Sequence, residues 1–372
     1  MNLLKKYPIL VDWLSPFRLS QQKTFIALIS ALCQAAQANS FAIASEPASQ
    51  TEIQMGSALN RLYRFLRNEG FDNWLLTERL FEFFAQRRVV LLCLDWTQWQ
   101  DKFHLLTASV CVEKRSIAVA VSACVKEKLA RSQRIIGKKP FWLCALKDCG
   151  QRRSKPFGCA IEDFTVWRGS SALLQAQQEF AVRLQGNLLI HRGGQTKLLK
   201  NIEMKPGQIR DFGFLNLRFD GAVRVRLIGV WADNSKEVWW IATNLTKPVS
   251  QIVGLYDRRM AIEEQFRDAK GVRFGLKMKW TCFEKSEYLE RMYLLVSVAM
   301  LLWTSIGRVI ENENPKVRLR CKTKGARLSL LRIGILFWRK ATASITLTTK
   351  FIKANLPKPK VRIFKWIDSF QN

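Results

Sequence analysis

The sequence predicts an α/β protein: a helical amino-terminal part, a sheet begun by three closely spaced strands, a β-rich run, and helices that return to cover the sheet. Three observations carry this. Val89–Leu94 is a continuous apolar run too short for a typical helix, and two more strand-like runs follow it at once. Residues 179–244 contain alternating segments separated by turn signals. Residues 256–270 and 286–310 switch to three- and four-residue steps, the helical period.

Taken in order, residues 1–88 read as helical. Phe25–Leu32 is an apolar helix segment. Ser57–Asn68 carries Leu59, Leu62, Tyr63 and Leu66 on one side and Arg61, Arg64 and Arg67 on the other. Such a helix packs on a core and turns its basic face to phosphates, or to solvent alone. Val89–Leu94 reads as a central strand ending at Asp95. A carboxylate there is rigidly held and meets solvent at the sheet edge, which suits a metal ligand; a turn residue is the plainer alternative. His104–Val112 and Ser116–Ala123 continue as an antiparallel meander through the turn Glu113-Lys114-Arg115. Residues 134–172 show no clear period. From 179 to 244 the chain reads as β again, with Gly193-Gly194 closing a hairpin, since it lacks the phosphate-loop spacing. Ser286–Ile310 reads as a long helix behind the sheet. Lys316–Lys324 is basic, and the end, Leu356–Arg362, is a proline-broken basic tail for DNA or solvent.

With 372 residues the chain is long enough for two or three domains. Lys and Arg number 60 against 30 acidic residues, a net charge of +30. That excess points first to nucleic acid and second to an anionic membrane surface. Met1–Pro8 leads into no secretory apolar region, and Tyr293–Ile306 is short for a membrane span of about 20 residues. A cytoplasmic protein without a membrane partner is expected. Nine cysteines with no Cys-x-x-Cys pair read as reduced thiols, and two histidines argue against a His-rich zinc site.

The most informative stretch is Tyr256–Lys270. It lacks Gly and Pro and is predicted as one helix. Tyr256, Arg259, Glu263, Phe266 and Lys270 then share one face, within an arc of about 80°. By pattern alone this is a phosphate-and-metal stripe or an ordinary solvated face with ion pairs. The spacing Tyr, two residues, Arg, three, Glu, six, Lys resembles the signature of IS4 family transposases, complete with Ile262 before the Glu and Phe266 after it. Arg61–Asn68 is similar to their helical DNA-binding region, and Leu94–Trp99 matches the motif around their first catalytic Asp.

The resemblance implies an RNase H-like catalytic core, a mixed sheet flanked by helices, with an all-β insertion. The implied boundaries are 1–88 for a helical DNA-binding domain, 89–178 and 251–310 for the core, 179–250 for the insertion and 311–372 for a basic end. It implies a DDE enzyme performing cut-and-paste transposition with Mg²⁺, for which Mn²⁺ substitutes. Asp95 and Glu263 would be catalytic metal ligands. Tyr256, Arg259 and Lys270 would grip double-stranded DNA, with Arg61 and Arg64 assisting, and a homodimer would hold two ends. The family's second Asp, in a Cys-Asp-Arg-Gly-Phe phrase, is absent. Back-translating Gly158–Ser170 and reading from the third base of each codon yields Leu-Cys-Asp-Arg-Gly-Phe-His-Arg-Val-Ala-Trp-Leu. About forty residues, 134–172, are therefore expected to be out of frame, with the Asp codon straddling Ala160 and Ile161. Asp163 and Asp148 are the nearest surviving acids. The rival expectation is an inactive DNA-binding remnant; a third is a structure-specific nuclease that cuts without end preference.

Overall fold

The computed structural model describes residues 5, 7–50, 53–85, 91–113, 115–126, 158–161, 179–192, 195–217, 223–233, 235–272, 275–319, 328–341 and 346–356. It is a mixed α/β structure. Among the described residues the helices α1 (Pro8–Trp13), α2 (Leu19–Ala35), α3 (Ser40–Gln50), α4 (Met55–Arg67) and α5 (Asn73–Ala85) come before the sheet. Phe17, Phe25, Phe65 and Phe71 stack among them and tie α2 to α4. On α4, Ala58, Leu62, Phe65 and Leu66 are buried while Arg61, Arg64 and Arg67 are exposed, so the expected two-sided helix is realised.

One ten-stranded sheet follows. Its strands are β1 (Leu91–Trp99), β2 (Phe103–Val112), β3 (Arg115–Val125), β4 (Gly158–Ile161), β5 (Glu179–Leu184), β6 (Leu189–Arg192), β7 (Gln195–Leu198), β8 (Ile209–Leu217), β9 (Val223–Val230) and β10 (Trp239–Thr243). The spatial order is β3-β2-β1-β4-β5-β10-β9-β8-β6-β7. The first three strands form the antiparallel meander, whereas β4 pairs parallel to β1 and β5 parallel to β4. The strands β6 to β10 extend the same sheet beyond β5 through antiparallel pairs. The β6–β7 pair is the expected hairpin; its Gly193-Gly194 turn lies outside the described residues.

One strand differs from expectation. Asp95 does not end β1. It sits mid-strand opposite Thr107, because pairing with β2 carries β1 on to Trp99. On its other side the described pairing with β4 stops at Leu94, opposite Ile161. Asp95 thus follows the last described parallel pair, while its antiparallel pairing continues.

The helical expectation for 256–270 also changes. Two helices replace one, α6 (Val249–Asp257) and α7 (Met260–Lys270), with a turn at Arg258–Arg259. Tight bonds three residues apart cross it: Arg259 N to the Tyr256 carbonyl at 2.9 Å and Ala261 N to the Arg258 carbonyl at 3.0 Å. The Cys111 thiol of β2 also donates to the Arg258 carbonyl, at 3.4 Å. Tertiary contact breaks this helix where no Gly or Pro does.

Helix α8 (Ser286–Glu313) runs through the core, with buried residues from Leu289 to Gly307. The apolar run Tyr293–Ile306 lies inside this helix of 28 residues, one 18-residue window of which averages a hydropathy of 1.7. Most of that window, 83%, is buried inside the fold. Helices α9 (Leu330–Ala341) and α10 (Thr349–Asn355) follow. Where α8 crosses α9, Gly307 faces the Leu330 carbonyl and Gly334 the Trp303 carbonyl, each too close for a Cβ. Two glycines therefore let the helix backbones touch.

Residues 134–157 and 162–172, Asp148 and Asp163 among them, and residues 320–327 and 357–372 lie outside the described residues. Cys33, Cys93, Cys111, Cys124 and Cys282 are free thiols.

Candidate functional site

One face of β1 builds the site. Cys93, Asp95 and Thr97 are spaced by two and so point the same way. Each meets the α6–α7 turn or α7 itself. Cys93 lies 3.2 Å from the Cys111 sulfur and also approaches the Arg258 carbonyl. Asp95 Oδ2 accepts from Arg259 Nη1 at 3.1 Å. Thr97 Oγ1 and the Gln98 carbonyl accept from Lys270 Nζ at 2.5 and 2.6 Å. Asp95 and Thr97 are two strand steps, roughly 7 Å, apart, whereas Arg259 and Lys270 are eleven helix steps, roughly 16 Å, apart. The two long side chains close that difference, the early one on Asp95 and the late one on Thr97.

Arg259 joins the two predicted acids. Its Nη1 holds Asp95, and its Nη2 donates to Glu263 Oε1 at 2.9 Å, one turn along α7. The carboxylates, 168 residues apart in sequence, therefore lie within one guanidinium's reach of each other. Burial is uneven. The Arg259 side chain is 3% exposed, Asp95 13% and Glu263 40%, so the cluster opens to solvent on the Glu263 side. Asp95 is also fixed locally, since Oδ1 accepts from Trp96 N at 2.7 Å.

The other acids of α7 turn away. Glu264 and Asp268 pair with Arg115 of β3 at 3.1 and 2.8 Å. Burial pushes the Asp268 carboxyl up, against the pull of Arg115. Lys270 shows the converse effect: burial, with Lys279 nearby, pushes its ammonium down to about 8, while Asp95 opposes the shift. Its Nζ also lies 5.2 Å from the Trp99 ring centroid.

Tyr256 is not on a shared open stripe. The break at Arg258–Arg259 leaves it on α6, 2% exposed, with its ring 5.7 Å from Trp239 and beside Ile241 and Val253. Arg259 keeps contact with it, its guanidinium 5.7 Å from the ring centroid. Phe266 is likewise buried. The structure thus brings Asp95, Arg259, Glu263 and Lys270 to one place and sends Tyr256 into an apolar cluster behind it. Arg61 and Arg64 lie elsewhere, on a cavity of about 430 Å³ between α2 and α4, with Ser20, Thr24, Ser57 and Asn68.

Sequence reading missed Thr97 and Gln98 as the seat of Lys270. The two-residue spacing from Asp95 was the available signal for Thr97. No signal marked the thiols around the Arg258 carbonyl.

Asp95 and Glu263 offer the oxygen donors that a hard divalent ion takes, and a cation already bridges them, so their chemistry fits such an ion. Among the described residues no group of three or more His, Cys, Asp or Glu side chains is placed to hold a metal. A scan of protein-family models finds no match to the chain, and a search of curated proteins finds none either.

Proposed function

We propose that this chain is a DDE-type DNA transposase of the IS4 kind, with an RNase H-like core, acting on the phosphodiester backbone of DNA ends. The observation that carries it is the convergence of Asp95 from β1 and Glu263 from α7 on Arg259, with Lys270 of α7 bonded to Thr97, two residues on from Asp95. The strand order β3-β2-β1-β4-β5, antiparallel in its first three members and parallel in the last two, supports the core. The net charge of +30 supports a polyanionic substrate.

In this reading Asp95 and Glu263 would hold Mg²⁺, or Mn²⁺ in its place, which would supply positive charge for an in-line displacement at phosphorus. Arg259, buried between them, positions the two acids, and Lys270 compensates backbone phosphate charge. The buried Tyr256 acts through Arg259, by packing, and not as a direct DNA contact. Two chains acting on two ends would form a homodimer.

A second reading is favoured by one observation. Ile161 stands in β4 opposite Leu94, next to Asp95. If residues 134–172 are out of frame, the displaced Asp codon would straddle Ala160 and Ile161, the missing acid would have stood beside Asp95, and the chain in hand would be an inactive DNA-binding remnant. Nicking of a transposon-end duplex in Mn²⁺ separates the two. An enzyme nicks, and Glu263→Gln abolishes the cut. A remnant only shifts the duplex on a gel, with strong salt dependence. Cutting without preference for the end sequence would point to the structure-specific nuclease.

A further inference from the structure

We infer that the arch at residues 276–283 is a stacking platform for an unpaired DNA base, with Trp280 as its surface. The inference rests on DNA being the substrate proposed above. A lone exposed apolar side chain is ordinary on a protein surface. Trp280, 56% exposed, differs in how it is held. It ends a short 3₁₀ turn, Met278–Trp280, that follows Lys277 in the left-handed region at φ 59°. Its neighbours Met278, Thr281 and Phe283 are all buried. The carbonyls on either side, of Lys279 and Thr281, both accept from Gln100 Nε2, at 2.7 and 2.9 Å. Lys102 Nζ donates to the Phe283 and Glu284 carbonyls at 3.2 and 3.1 Å. The β1–β2 turn that supplies these two clamps is itself unusual, with Gln100 and Asp101 at φ 52° and 53°. The indole is presented to solvent by a fixed backbone.

The charges around it suit a nucleic acid strand. Lys277 Nζ lies 4.9 Å from the Trp280 ring centroid. Lys279 is exposed, and close enough to Lys270 to depress its ammonium. The arch is thus continuous in charge with the candidate site. From Asp95 to the end of β1 at Trp99 is roughly 13 Å, and the turn that clamps the arch follows at once, so the arch lies beyond the end of the strand that carries the acid pair. Aromatic side chains flanked by cations take bases of any sequence by stacking.

The test uses the full chain with a chelator, so that it is independent of cleavage. Fluorescence anisotropy compares a short oligothymidine with a blunt duplex of equal length. Trp280→Ala is expected to weaken oligothymidine binding roughly five- to hundred-fold, as loss of one stacked base does. Duplex affinity should stay within about twofold, and Trp280→Phe should recover most of the single-strand affinity. Equal oligothymidine affinity in wild type and Trp280→Ala overturns the platform, as does an equal loss on both probes. Loss of binding to phosphatidylserine vesicles with unchanged oligothymidine binding also overturns it, in favour of a membrane surface. Failure to nick with the stacking effect intact overturns only the catalytic reading; a wild type that binds neither probe overturns both.

Discussion

The acid pair and the α2–α4 groove both carry arginines, and they use them in opposite ways. Arg259 is buried, with Asp95 and Glu263 as its partners. Arg61 and Arg64 are exposed on a polar cavity. The same side chain therefore neutralises internal charge in one place and offers external charge in the other. Under the proposed function this is a division of labour: the groove would contribute long-range attraction for a polyanion, and the acid pair a fixed geometry.

The largest expected effect lies at the buried arginine. Arg259→Met leaves two carboxylates facing each other, one of them 13% exposed, and should cost about 3–5 kcal/mol in urea unfolding. Adding Mn²⁺ should raise the thermal midpoint of this variant more than that of wild type. A stability within about 0.5 kcal/mol of wild type would erase the contrast between the two regions.

At the groove the effects reverse. Arg61→Ala with Arg64→Ala should leave stability within about 0.5 kcal/mol and weaken duplex binding. The log–log slope of affinity against salt should fall by about two. An unchanged slope would mean that these arginines merely face solvent.

Lys270 sits between the two regimes, and its effect should be the smallest. With its ammonium pushed down to about 8, the lysine loses charge as pH rises through that value. DNA affinity should fall a few-fold between about pH 7 and 9, while Lys270→Arg stays flat, as anisotropy would read. The stability sign is the opposite. The folded lysine binds its proton less tightly than the unfolded one, so its unfavourable contribution is present below about 8 and fades as pH rises towards its ordinary value near 10.5.

Much of this was legible in the chain. The meander, the alternating β runs and the two-sided α4 follow from local pattern, and local pattern decides them. Asp95 and Glu263 were singled out by the motif spacing, and both accept hydrogen bonds from Arg259. The break before α7 was not legible, because thiols of distant β1 and β2 take part in it. Nor was the depth of Tyr256, which depends on that break. The length of β1 escaped for a similar reason: β2 extends it past the point where apolar residues stop.

The crossing of α8 and α9 has a consequence for how the chain is made. The long central helix is mostly buried in the finished fold, and α9, one of the elements that sheathe it, is synthesised later. Until that partner emerges from the ribosome, the apolar surface it covers stays open. Bulk at Gly307 or Gly334 would delay the wrapping, and its first symptom should be aggregation of the nascent protein.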